Sequence, residues 1–195
     1  MFTGILNKGS KLAGVAEKIA KCRVCKRGKT GIAVPGEGNP SASIMFIGEA
    51  PGRKESETGR PFVGRSGQLL RRLIKKTGLK EKDVFITSPV KYLPKKGTPS
   101  SLDIEHGRKH LFEQIRIIEP KILVLLGNTA CKAILTNKIQ VMKEHGKIIG
   151  KGGIKYLVTI HPAAVLRFPK YTSIIKSDFK KLKALFNLPL GKPKG

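Results

Sequence analysis

The chain has 195 residues, the length of one α/β domain with a full hydrophobic core. Its 39 Lys and Arg against 13 Asp and Glu give a net charge of +26, which calls for an acidic partner, nucleic acid or an anionic membrane surface. A hydrophobic content of 39%, no long apolar run, no apolar stretch at the N-terminus and only three cysteines exclude disordered, membrane-spanning and secreted disulfide-rich classes.

In chain order, an amphipathic segment at Lys11–Lys21 precedes a short apolar strand at Ser43–Ile47. A helix is expected at Ser66–Thr77, with Leu69, Leu70, Leu73 and Ile74 on one face and Arg71, Arg72, Lys75 and Lys76 opposite. A strand at Val84–Thr87, a helix at Leu102–Ile118, a strand at Ile122–Leu126 and a short helix at Thr129–Leu135 follow. A strand at Tyr156–Ile160 and a helix at Tyr171–Phe186 close the pattern. The alternation predicts a three-layer α/β/α domain over residues 1–195 with a four-stranded parallel sheet, its last residues, 191–195, a frayed tail. The protein is expected to be intracellular, in cytoplasm or nucleoid, and monomeric. Eight Asn and Gln beside abundant Lys hint at a hot-growing source.

Ligands of such sheets bind at the carboxyl ends of the strands, which directs attention to the loops Gly48–Gly67, Ser88–Ser100, Gly127–Thr129 and His161–Arg167. The first carries five glycines and two prolines in 20 residues, yet matches neither a Walker loop nor a dinucleotide fingerprint. Glu49 directly follows a buried strand, where a carboxylate is unusual unless used. Phe62 sits among Gly and Pro, either as a core ring or as a flat face for a base. His161 follows the last strand and precedes Pro162, so it is either a core histidine or a chemical partner of Glu49 at a neighbouring strand end.

GEAPG from Gly48, GRPFVG from Gly59, Ser66-Gly67-Gln68-Leu69-Leu70 and HPAAVLR from His161 together resemble the family 4 uracil-DNA glycosylases, the iron–sulfur branch of that superfamily, from Cys22 to Arg167. The resemblance implies a repair glycosylase that flips uracil, or another deaminated base, out of DNA and hydrolyses its N-glycosidic bond. It implies that Glu49 and Glu55 position or activate water and that Ala50 to Gly52 border the base pocket. Phe62 would stack on the base, and His161 would hydrogen-bond a uracil oxygen. Leu166 and Arg167 would enter the DNA on a loop, with Arg60 and Arg65 as further DNA contacts. The alternative is a catalytically weak homologue that binds damaged or single-stranded DNA.

Two departures from the family pattern matter. Ser88, followed by Pro89, stands where the family carries the Asn that reads the edge of uracil, and a hydroxyl makes fewer simultaneous bonds than an amide. The family also holds its cluster with four cysteines, of which only Cys22 and Cys25 are present. Tyr92 stands at the third position, and the fourth falls near Gly107. Cys131 lies elsewhere and reads as a buried apolar residue. His106 and His110, four apart on the expected helix, flank that fourth position with both rings on one face. Cys22, Cys25, His106 and His110 therefore form a metal set favouring zinc over an iron–sulfur cluster, with no metal as the remaining reading.

Overall fold

The apolar runs form the centre of one sheet. The computed structural model describes residues 2–135 and 139–187, which leaves the 191–195 tail outside the described residues. In chain order the elements are α1 (Phe2–Lys21), α2 (Arg23–Lys26), β1 (Lys29–Thr30), β2 (Glu37–Gly38), β3 (Ile44–Ile47), α3 (Arg53–Thr58) and α4 (Arg65–Lys76). Then come β4 (Val84–Thr87), β5 (Leu93–Pro94), α5 (Ser101–Ile118), β6 (Ile122–Leu126), α6 (Asn128–Leu135) and α7 (Val141–Glu144). The hairpin β7 (Ile148–Lys151) and β8 (Ile154–Thr159), then α8 (Pro162–Arg167) and α9 (Thr172–Asn187), complete it.

The main sheet has the order β2-β4-β3-β6-β8-β7. Its four central strands are parallel, as expected, with Phe46 level with Ile86 on one side and Val124 on the other. Every residue of β3, β4 and β6 is buried, which is why these strands read as unbroken apolar runs. The expected count of four strands is corrected to six, because a short antiparallel strand closes each edge. On one edge, β2 approaches β4 so closely that a Cβ on Gly38 would lie 2.1 Å from the Val84 carbonyl oxygen. On the other, Gly152 and Gly153, at φ +58° and +76°, make the two-residue turn of the β7–β8 hairpin.

One helical group packs α1 on α5 and α5 on α6; the other joins α4, α8 and α9. Phe46 of β3 stacks on Phe179 of α9 with ring centroids 6.1 Å apart, fixing that helix to the sheet. A smaller core of Val15, Ile19, Cys25 and Tyr92 lies beneath α1. α5 begins on a capping box, in which the Ser100 hydroxyl accepts from the Asp103 N–H and the Asp103 carboxylate accepts from the Ser100 N–H. No helix among the described residues is long and apolar enough to cross a membrane.

Candidate active site and metal centre

Three adjacent parallel strands, β3, β6 and β8, end side by side and deliver Glu49, Thr129 and His161 to one place. The cleft there has a volume of about 350 Å³, and Glu49, Ala50, Gly52, Glu55, Phe62, Ser88 and His161 all line it. These are the seven catalytic and base-binding residues that the sequence nominated, drawn from positions up to 112 apart. Thr129 is the residue that sequence reasoning missed. It is buried on α6 and donates its hydroxyl to Glu49 Oε2 at 3.0 Å. The available signal was its place after the Gly127 turn, directly beyond a buried strand.

His161 caps α8: its Nδ1 accepts the Ala163 N–H at 3.1 Å, so the neutral ring carries its proton on Nε2. Burial pushes its pKa down to about 4, so the ring is neutral at physiological pH. Gly127 (φ +87°) lets the β6 turn pass beside it, since a Cβ there would lie 3.1 Å from His161 Cβ. HPAAVLR is a helix and not the expected loop: proline at its first position and the His161 cap both favour helix initiation.

Phe62 is 9% exposed, with its ring centroid 5.7 Å from that of His161. Its backbone takes φ +53°, a left-handed conformation uncommon for a bulky residue. Two glycines and an arginine impose it. A Cβ on Gly48 would lie 2.6 Å from Phe62 Cζ, and one on Gly67 only 1.9 Å from the Phe62 carbonyl oxygen. Arg71 donates to the Phe62 and Pro61 carbonyls at 3.2 and 3.1 Å and pairs with Glu37 and Glu81. So Arg71, assigned from sequence to the outer face of its helix, is a half-buried brace.

Glu55 lines the cleft, but its Oε1 accepts the Gly64 N–H at 2.7 Å at the start of α4. That oxygen anchors a helix N-terminus, where a carboxylate is electrostatically favoured. Ser88 is buried and donates its hydroxyl to the Val90 carbonyl at 2.8 Å. Behind it Lys91, 1% exposed, donates to the Pro35 carbonyl, Thr87 Oγ1 and Gln114 Oε1 at 3.0, 2.7 and 3.0 Å, fixing the loop that carries Ser88. Burial pushes the Lys91 pKa down to about 7.

The four expected DNA contacts lie outside the cleft lining. Arg65 is exposed at the first residue of α4, and Leu166 and Arg167 are exposed at the end of α8. Arg60 is exposed but tied to Glu37 at 2.9 and 3.1 Å.

Where α2 packs on α5, ligand atoms of Cys22, Cys25, His106 and His110 all lie within 4.8 Å of one another. Cys22 Sγ is 3.2 Å from His106 Nε2. Tetrahedral zinc with two sulfurs and two nitrogens has ligand–ligand edges of roughly 3.3–3.8 Å, so the donors fit that geometry with little movement. Burial holds both imidazoles below their ordinary pKa, in the neutral form that ligates. Burial and Cys22 push the Cys25 thiol up to about 12, so a thiolate there requires a neighbouring cation. A four-cysteine cluster does not fit. Tyr92 is buried with its hydroxyl donating to the Ala20 carbonyl at 3.1 Å, and a Cβ on Gly107 would lie 2.0 Å from the Pro89 carbonyl oxygen. Cys131 is buried on α6, apart from this set, as expected.

Residues 35–187 match the model of the uracil DNA glycosylase superfamily. The chain is 42% identical over 188 residues to the type-4 uracil-DNA glycosylase of Saccharolobus solfataricus, covering 90% of this chain and 87% of that protein. It is 37% identical over 177 residues to the type-4 enzyme of Thermotoga maritima, covering 87% and 92%. It is 29% identical over 147 residues to a type-5 uracil-DNA glycosylase of Pyrobaculum aerophilum, covering 67% and 65%.

Proposed function

Because the chain belongs to the uracil DNA glycosylase superfamily, in its type-4 branch, we propose that its cleft receives uracil flipped out of DNA and hydrolyses the N-glycosidic bond, leaving an abasic site for repair. One observation carries the reading: the neutral His161 donor, the Thr129-held Glu49 carboxylate and the Phe62 ring line one cleft.

Each residue has a task in that reaction. The flipped base stacks on Phe62, offsetting part of the few kcal/mol lost on unstacking. As the C1′–N1 bond breaks, its electron pair goes to the base, and His161 Nε2–H donates to the uracil oxygen that shares the charge. A preorganised donor of this kind contributes roughly 3–4 kcal/mol. Glu49 Oε2 is occupied by Thr129. Oε1 then accepts a proton from the water that attacks C1′, and the carboxylate stabilises the oxocarbenium-like sugar. Glu55 contributes by holding the start of α4 and, through it, the Phe62 turn. Arg65 and Arg167 contact phosphates, and Leu166 enters the gap left by the base. Arg60, neutralised by Glu37, contributes less. The charge of +26 supplies the salt-dependent part of DNA affinity.

The Cys22, Cys25, His106 and His110 set holds zinc in this reading. The metal would pin the C-terminal end of α1 and α2 to α5 and supply no chemistry to the base. Elemental analysis of protein purified without added metal tests it: one zinc per chain and a colourless solution agree. Iron with absorbance near 400 nm, or no metal, overturns the assignment.

The activity is tested with a labelled uracil-containing oligonucleotide, followed by alkali to cleave abasic sites. Wild type should give cleaved product and His161→Ala should lose most of it. No product from wild type overturns the reading.

A further inference from the structure

Ser88 lines the cleft and is 6% exposed, and its hydroxyl proton is already committed to the Val90 carbonyl at 2.8 Å. A carbonyl oxygen can only accept, so the direction of this bond is fixed. Among the described residues no other donor reaches the Val90 carbonyl, and none reaches Ser88 Oγ. Turning the proton toward a ligand would strand a buried carbonyl. Toward the cleft, Ser88 therefore offers lone pairs and no proton, while His161 offers the Nε2–H.

We infer that Ser88 is an acceptor-only reader of the ring N–H that deamination creates, so that the enzyme excises hypoxanthine as well as uracil. The inference rests on the glycosylase reading of the cleft. Cytosine carries a lone pair at N3 and adenine one at N1. Deamination of either base turns that nitrogen into an N–H. A fixed acceptor pairs with the N–H of uracil and hypoxanthine and meets the lone pair of cytosine and adenine acceptor to acceptor. A site of committed polar groups rejects such a mismatch strongly. His161 Nε2–H finds an acceptor on either product, the O2 of uracil or the N3 of hypoxanthine. Thymine and guanine share the ring N–H, so their exclusion rests on shape, at C5 of thymine and at the 2-amino group of guanine, and not on Ser88.

The test uses the full-length protein and single-stranded oligonucleotides carrying one uracil, hypoxanthine, cytosine or adenine, so that base-pair opening does not bias the comparison. Uracil and hypoxanthine should both be excised, and cytosine and adenine left intact. Ser88→Ala should slow both deaminated substrates together by about tenfold or more, the factor expected for one hydrogen bond to a buried partner. Ser88→Thr, which keeps the hydroxyl, should stay within about threefold of wild type, and thermal melts of both variants guard against misfolding. Excision of uracil with refusal of hypoxanthine, excision of cytosine, or an unchanged Ser88→Ala rate overturns the inference and leaves the glycosylase reading intact. Failure to excise any of the four bases overturns that reading instead.

Discussion

Thr129 donates its hydroxyl to Glu49 Oε2 across 3.0 Å and so ties the end of β6 to the end of β3. Without that bond the carboxylate has a rotamer choice and an unassigned second oxygen. Thr129→Val, which conserves shape and removes the hydroxyl, should lower kcat about tenfold or more, the effect of one hydrogen bond to a charged group, with KM nearly unchanged. Thr129→Ser should retain most activity. Steady-state kinetics on a uracil oligonucleotide check both, and an equal loss in the two variants would assign Thr129 to packing alone.

Phe62 is held in its left-handed backbone by contacts that a single methyl would break. Phe62→Ala should weaken excision by the stacking contribution of about 1–3 kcal/mol while leaving affinity for undamaged duplex nearly constant. Gly48→Ala should mimic it, because the added Cβ would displace the ring from 2.6 Å. Single-turnover rates alongside binding titrations separate a stacking face from a merely structural ring.

The depressed pKa of His161 has a consequence for stability. The folded ring ionises near pH 4 while the unfolded chain takes up that proton near pH 6.5. The folded pKa is the lower one, so the histidine's contribution is fully present above about pH 6.5 and is lost as pH falls toward 4. Urea unfolding of wild type and His161→Gln should give a stability difference that is flat from pH 7 to 8 and shifts against wild type toward pH 4.5. Parallel curves at all pH values would place the ring in solvent.

Metal removal should act on the N-terminal segment. Chelation, or Cys22→Ser, should lower Tm and release hydrogen-exchange protection in α1 and at the start of α5. Excision at moderate temperature should change little, because Glu49, Thr129 and His161 sit on elements that hold none of the four ligands. Loss of excision in step with metal would join the two sites functionally.

The central strands were legible because burial on both faces removes polar positions from them, and Glu49 and His161 because each directly follows such a strand. The edge strands were not. β2 has two residues, and β7 is four residues, mostly exposed and without alternation, its one signal being the Gly152-Gly153 turn. The six-residue α3 was hidden in a Gly- and Pro-rich loop, since no apolar period develops over so short a span. Arg71 and Thr129 escaped because their roles depend on neighbours 9 to 80 residues away. The Cys and His spacing and the lack of a third and fourth ligating cysteine were readable in the sequence, but the convergence of the four ligand atoms within 4.8 Å needed the packing of α2 on α5.

The most direct test of base excision by this cleft is single-turnover release of free uracil by wild type and Glu49→Gln. Wild type should free one uracil per abasic site formed. The variant should keep its DNA affinity and excise at a rate lower by about a hundredfold or more, the scale of a positioned general base. Equal rates for the two proteins, or abasic sites without free uracil, would contradict it.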